Sequence, residues 1–300
     1  PFQFKMKFPI YLLVCLAAYI QTASQSTPKK TGPFHWVLNS GLIQCKLKFV
    51  IYLGGFTSNI KKRPYEIARK AFKHLPNTYL IMIDHSQYTN NEEGTWQGYR
   101  KSVTYVHYIG KALAQMLAAL TKGGISPKVM HGVGHSLGGQ ILGQMGEEFI
   151  KLTGRKIARI SALDPAGPCF SKSRVENQVR KGVAEYVEVY HCDAGVLGSA
   201  SVLADVDYFV NKGFSQPNCG TPLLPECMDI KRSIKSHQIC IDIWMASVPH
   251  TNWFPAYKCG SYNKFIRGKC LGNQQTIAGY WNSGNATGVY FFNTKGVFKS

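Results

Sequence analysis

The sequence predicts an α/β fold in which a mostly parallel central sheet is covered by helices on both faces. Short, near-continuous apolar runs predict strands that are buried on both faces. These runs cover residues 49–53, 79–83, 128–133, 157–163 and 186–190. Helical patterns lie between them, and this alternation favours parallel strands joined by helical crossovers.

Three helices follow from the spacing of apolar residues. One is predicted around residues 66–72, and a longer one runs from about Val103 to Leu120 before Gly123 and Gly124 end it. A third helix follows residue 136 and ends at Gly154. Its apolar residues recur at helical spacing: Ile141, Leu142, Met145, Phe149 and Leu152.

Residues 134–138 read Gly-His-Ser-Leu-Gly and lie between a predicted strand and a predicted helix. A serine on such a sharp turn needs small residues at positions −2 and +2, because side chains there would collide as the backbone doubles back. Gly134 and Gly138 meet this requirement. The turn also directs the amide of Leu137 towards a developing oxyanion. Ser136 is therefore the candidate nucleophile.

A serine nucleophile needs a histidine base, and that histidine needs an acid that fixes its tautomer. In α/β hydrolases the chain order is Ser, acid, His. His191, His237 and His250 follow Ser136, and His237 is expected in a loop ahead of a helical run over 239–247. Asp164 and Asp193 both follow predicted strands, where catalytic side chains of such sheets project. Position alone leaves both acids open.

Five ordered sequence blocks resemble the pancreatic-lipase family, in its branch of secreted insect neutral lipases and phospholipases A1. The blocks are GHSLGG at 134–139, LDPAGP at 163–168, HCDAG at 191–195, NKG with QPNC at 211–219, and SH at 236–237. The resemblance extends from about residue 48 to the C-terminus. The resemblance implies an α/β-hydrolase fold with Asp164 as the acid and His237 as the base. It also implies that the amide of Phe56, in the loop 54–56, completes an oxyanion hole with that of Leu137.

The sequence departs from this family in three places. Gly54 stands where many members have histidine, and Lys235 stands where a cysteine usually precedes Ser-His. The N-terminal region before the first clear strand is also shorter than usual. The segment 220–236 is expected to be a lid, with Cys219 paired to Cys227 only as a hypothesis. Its apolar residues are Leu223, Leu224, Met228, Ile230 and Ile234.

The N-terminal region has the three parts of a secretory signal. Met6 and Lys7 precede an apolar stretch over 9–20 and small residues at 22–24. We expect a signal peptide over 1–24 and one lipase domain over 25–300, without a separate C-terminal lipid-binding domain. Cys15 falls in the signal and eight cysteines remain, an even number that favours disulfides over a metal site.

The chain is strongly basic, with 35 Lys and Arg against 16 Asp and Glu. Because these charges are spread along a chain expected to be extracellular, an anionic membrane or lipid-droplet surface is a better partner than nucleic acid. The sequence predicts a secreted lipid-ester hydrolase without a cofactor, either a phospholipase A1 or a triacylglycerol lipase. The alternative is an inactive lipid-binding or yolk-type carrier. Such carriers lack part of the triad, whereas Ser136, Asp164 and His237 are all present here.

Overall fold

The computed structural model describes residues 21–22, 47–90, 95–171, 174–217 and 230–294. Ten strands in these ranges form one sheet. They are β1 (Gln21–Thr22), β2 (Lys48–Leu53), β3 (Thr78–Ile83), β4 (Met130–His135), β5 (Arg159–Leu163), β6 (Tyr186–His191), β7 (Val206–Val210), β8 (Pro255–Lys258), β9 (Gln275–Ile277) and β10 (Gly288–Phe292).

The sheet is mostly parallel, as the sequence predicts. Its strand order is β1-β3-β2-β4-β5-β6-β7-β10-β8-β9. From β3 along this order to β10, each strand is parallel to the next. At the two edges of the sheet, β1 pairs antiparallel with β3, and β8 pairs antiparallel with both β10 and β9. The C-terminal ends of the parallel strands therefore meet along one edge, where the side chains of a catalytic site project.

Helices cover both faces of this sheet. The described helices are α1 (Arg63–Phe72), α2 (Ser86–Thr89), α3 (Trp96–Lys122), α4 (Leu137–Thr153), α5 (Ile230–Ala246) and α6 (Tyr262–Ile266). Helices α3 and α4 share one hydrophobic core with the sheet, and α1 and α5 share the core on the opposite face. No helix in the described part of the chain is both long and apolar enough to cross a bilayer.

The helix ends agree with their sequence signals. The side chain of Thr95 accepts a hydrogen bond from the amide of Gly98 (3.0 Å) and so caps the N-terminus of α3, and Gly123 caps its C-terminus. Gly154 ends α4 with a left-handed φ of 66°. Leu152 in the last turn of α4 is half exposed, so the apolar pattern of this helix extends beyond its buried face.

Two predicted strands begin later than their apolar runs. Residues 127–129 form a 3-10 turn, because Pro127 fixes its own φ and the hydroxyl of Ser126 accepts from the amide of Lys128 (3.3 Å). Strand β4 therefore runs from Met130 through His135. Strand β5 begins at Arg159 rather than at 157. Strands β1 and β7 to β10 are not among those predicted from the sequence.

A buried ion pair joins the sheet to the C-terminal segment. The Nη2 atom of Arg159 lies 2.5 Å from Oε1 of Glu188, and the Glu188 side chain is completely buried. The same guanidinium donates to the carbonyl oxygens of Gly279 and Tyr280, each at 2.8 Å. Because these carbonyls belong to the segment between β9 and β10, Arg159 fastens that segment against the sheet.

We expect Arg159→Met to lower the free energy of unfolding by about 3–5 kcal/mol, because it leaves the Glu188 carboxylate buried without a cation. Chemical denaturation measures this loss. Lys70→Met is the control, because it breaks only the exposed pair with Glu66 and is expected to leave stability unchanged. An equal loss in the two variants would contradict the assigned role of Arg159.

Candidate active site

Ser136 occupies a sharp turn between the end of β4 and the first residue of α4. Its backbone has φ 55° and ψ −121°, a conformation that side-chain-bearing residues rarely adopt. A methyl group at Gly134 would lie 2.5 Å from the carbonyl oxygen of Gly138, and one at Gly138 would lie 2.6 Å from that of Gly54. The predicted need for small residues on both sides of the serine is confirmed.

His237 and Asp164 form a short hydrogen bond next to this turn. His237 Nδ1 lies 2.6 Å from Asp164 Oδ2, and the Asp164 side chain is fully buried. The backbone amides of Cys192 and Asp193 also donate to this carboxylate, at 2.8 and 3.1 Å. Since an ionised carboxylate only accepts hydrogen bonds, the proton of a neutral His237 ring resides on Nδ1 and leaves Nε2 as a base.

His135 holds the backbone of His237 from the other side. Its Nε2 donates to the carbonyl oxygen of His237 at 2.9 Å, and the two ring centroids are 4.4 Å apart. Burial is the main cause that lowers the pKa of His135 well below its ordinary value, and repulsion from His237 when that ring is protonated adds to it. His135 is therefore a neutral donor. No signal in the sequence predicts this role, although His135 directly precedes the candidate nucleophile.

The loop after β2 lies against Ser136. A methyl group at Gly55 would lie 2.8 Å from Cβ and 3.3 Å from Oγ of Ser136, so only glycine permits this approach. Phe56 follows directly, and its ring packs edge-on against Tyr99 with 5.4 Å between centroids. Leu137 is the first residue of α4. The two backbone segments predicted to form the oxyanion hole thus both adjoin the serine.

Tyr65 explains the glycine at position 54. A methyl group there would lie 2.8 Å from the Tyr65 ring and 2.7 Å from Cβ of Ser58. The Tyr65 hydroxyl accepts from the amide of Gly54 (3.0 Å) and donates to the carbonyl of Ile83 (2.6 Å). The space beside Gly54 is filled by Tyr65 and Ser58, so a histidine does not fit at this position without rearrangement.

The second candidate acid, Asp193, has other partners. Its Oδ2 accepts from the amide of Leu197 at 3.1 Å, while its own amide donates to Asp164. Burial, more than any other cause, raises the pKa of the Asp193 carboxyl to about 6. Its backbone supports the carboxylate of Asp164, and its side chain supports the loop that follows β6.

The other two candidate histidines lie in different surroundings. His191 is buried between Asp207 and the carbonyl of Ser199, with 2.9 Å to each. Although burial alone lowers its pKa, the hydrogen bond to Asp207 holds the pKa of His191 above its ordinary value. The ring of His250 stacks on Trp253 with centroids 3.5 Å apart.

The expectation that His237 lies in a loop is wrong. Helix α5 starts at Ile230, seven residues before it, and His237 is on the buried face of this helix. The first turns of that face carry Ser233, Ser236 and His237 instead of apolar residues, so hydrophobic periodicity does not reveal them. The hydroxyl of Ser236 accepts from the amide of Gln216 (3.0 Å), which explains one of these polar positions.

Most of the proposed lid lies outside the described residues. This applies to Cys219, Leu223, Leu224 and Cys227, which fall within 218–229. The remainder of the lid segment, 230–236, forms the start of α5. Two disulfides are present in the described ranges, Cys192–Cys240 and Cys259–Cys270, whereas the exposed Cys169 has no disulfide partner there.

Most of the chain matches one family of known proteins. Residues 37–290 match the model of the Lipase family. The chain belongs to this family. With the serine turn between β4 and α4 of a mostly parallel sheet, it has the α/β-hydrolase fold.

Several characterised proteins are similar to this member of the Lipase family. It is 28% identical over 241 residues to pancreatic lipase-related protein 2 of Bos taurus, covering 75% of the chain and 49% of the relative. It is 31% identical over 207 residues to phospholipase A1 2 of Dolichovespula maculata, covering 68% and 67%. The chain is also 31% identical over 173 residues to human phospholipase A1 member A, covering 58% of the chain and 36% of the relative. The chain thus spans about half the length of the bovine relative.

We expect Gly134→Ala to lower the free energy of unfolding by about 1–3 kcal/mol, because the new methyl group meets backbone atoms that cannot turn away. Thermal and chemical denaturation measure this change. Gly260→Ala is the matched control, since a methyl group there meets nothing within 4 Å. Equal stability of the two variants would show that the turn has room for a side chain at position 134.

Proposed function

We propose that the chain is a secreted serine hydrolase that cleaves carboxylic esters of lipids. The observation that carries this proposal is the buried hydrogen bond between Asp164 and His237 beside the strained turn at Ser136 (2.6 Å). A free serine hydroxyl is a weak nucleophile, and this arrangement supplies the base and the acid that activate it. The similarity to lipases and phospholipases A1 supports the same assignment.

In the proposed mechanism, Ser136 Oγ attacks the ester carbonyl while Nε2 of His237 takes its proton. Asp164 stabilises the imidazolium that forms, and the amides of Phe56 and Leu137 stabilise the oxyanion. Collapse of the tetrahedral intermediate expels the alcohol, which receives the proton from His237. Water then attacks the acyl-enzyme with His237 again as the base, and the fatty acid leaves. The reaction needs no cofactor.

An extracellular location is part of the proposal. Its support is the two disulfides, which persist in oxidising compartments, and the signal-like sequence over 1–24. Residues 1–20 and 23–24 of that sequence lie outside the described ranges. The net charge of +19 favours contact with an anionic membrane or droplet surface over a neutral one.

Substitutions at the proposed triad test the function. We expect Ser136→Ala and Asp164→Asn each to lower kcat/KM on a lipid ester by roughly 10⁴, the first by removing the nucleophile and the second by favouring the wrong imidazole tautomer. Asp193→Asn is the matched control on the neighbouring carboxyl and is expected to cost far less. Circular dichroism checks that each variant is folded.

Three outcomes would contradict parts of the assignment. Full activity of folded Ser136→Ala would exclude it as the nucleophile. A larger loss in Asp193→Asn than in Asp164→Asn would move the role of the acid to Asp193. Binding of lipid vesicles by the unaltered protein without any release of fatty acid would favour the carrier function instead.

Phosphatidylcholine and triacylglycerol with matched acyl chains test the substrate class. If Cys219 pairs with Cys227, the closed segment holds only seven residues, which are too few to cover a wide acyl-binding groove and would leave room for a polar head group. We therefore expect hydrolysis of phospholipid at least equal to that of triacylglycerol, faster on anionic vesicles and slower in high salt as the basic side chains are screened. Hydrolysis confined to triacylglycerol, with Cys227 joined to a distant cysteine, would contradict this expectation.

A further inference from the structure

The Cys192–Cys240 disulfide lies at the candidate active site. Cys192 directly follows β6, and Cys240 lies in α5 three residues after His237. Both cysteines are essentially buried, their Cα atoms are 5.8 Å apart, and they are separated by 48 positions in sequence. The bond therefore joins the carboxyl end of a central strand to the helix that carries the proposed base.

The disulfide closes a ring that contains the acid and the base. The amide of Cys192 donates to Asp164 Oδ1 at 2.8 Å, and Asp164 Oδ2 lies 2.6 Å from Nδ1 of His237. His237 and Cys240 are neighbours on one helix surface, because residues three apart lie one above the other. One side of the ring is therefore covalent, and the other side is hydrogen-bonded through the carboxylate.

The covalent side limits movements that the hydrogen bonds alone would allow. His135 and Gln216 also hold α5, through the carbonyl of His237 and the hydroxyl of Ser236. Each of these contacts can open and close again while the chain remains folded. A disulfide keeps the helix within a fixed distance of the strand end, and a misplacement of about 1 Å can lower a reaction rate by about a hundredfold.

We propose that the Cys192–Cys240 disulfide is a positioning element that keeps His237 aligned with the carboxylate of Asp164. Neither cysteine side chain takes part in the reaction. The proposal rests on the proposed function for its effect on rate. Its effect on the hydrogen bond between His237 and Asp164 can be measured without any substrate.

The second disulfide supplies a matched control. Cys259–Cys270 has a sequence separation of 11 and packs with Phe291 in a small separate hydrophobic cluster. Cys259 follows β8, and Cys270 follows α6. Its cysteines are also buried, so its removal tests what the loss of a buried disulfide does when no group of the site is attached to it.

The experiment compares Cys192→Ala/Cys240→Ala with Cys259→Ala/Cys270→Ala, both in the full chain. We expect the first double variant to lower kcat at least tenfold with little change in KM. The downfield proton resonance of the hydrogen bond between His237 and Asp164 is expected to weaken or disappear in it. We expect the control to keep kcat and the resonance, even where its melting temperature falls.

Each outcome bears on the proposal. An unchanged kcat and resonance in the first variant, or equal losses in both, would overturn it. If the double alanine variant fails to fold, Cys192→Val/Cys240→Ala is tested in its place, because valine refills part of the core. If both variants at this disulfide fail to fold while the control folds, its role is in folding and the proposal is wrong.

The failure of the proposed function would look different. In that case, neither the unaltered protein nor the control would hydrolyse any ester. The resonance would still report whether removal of Cys192–Cys240 disturbs the pair, so the two questions are answered separately. Ser136→Ala, which should keep the resonance and lose the activity, calibrates this distinction.

Discussion

The buried carboxylate of Asp164 is the constraint around which the candidate site is organised. A charge without access to water is costly unless hydrogen-bond donors surround it. Here the donors come from the amides of Cys192 and Asp193 and from Nδ1 of His237. Because these donors belong to different parts of the chain, satisfying one charge fixes the ends of β5 and β6 and the middle of α5 relative to one another.

The close approach of neighbouring backbone segments is the second constraint, and it acts on the candidate nucleophile, Ser136. Gly134, Gly138 and Gly55 all lie where an added methyl group would meet neighbouring atoms at less than 3 Å. The glycines let the end of β4, the loop after β2 and the start of α4 pack closely around Ser136. The site thus combines a serine held by glycine contacts with a histidine held by a buried charge, and the adjoining His135 links the two through the carbonyl of His237.

Both the fold and the serine turn could be predicted because their signals are local. Apolar runs indicate buried strands, and the Gly-x-Ser-x-Gly spacing reflects steric contacts that the structure contains. The helical position of His237 could not be predicted in this way. Buried residues of α5 recur at helical spacing, but those in the first half of the helix are polar. They include Ser233, Ser236, His237, Cys240, Ile241 and Trp244. Partners for those polar groups are distant in sequence, as Gln216 is for Ser236, so hydrophobic periodicity alone does not detect that half.

Strands β5 and β6 also carry the buried Arg159–Glu188 pair, in which Arg159 lies at the end of β5 away from the candidate site. Arg159 is the first residue of β5, whereas Asp164 directly follows its last residue. The five residues of the strand extend over about 16 Å, at roughly 3.3 Å per residue, and the opposite charges of the adjacent Arg159 and Glu188 largely cancel over such a distance. One charged cluster therefore fastens the C-terminal segment while the other orients the proposed base. A rigid central sheet can therefore carry a stabilising ion pair at one end without fixing the electrostatics that the proposed chemistry requires at the other.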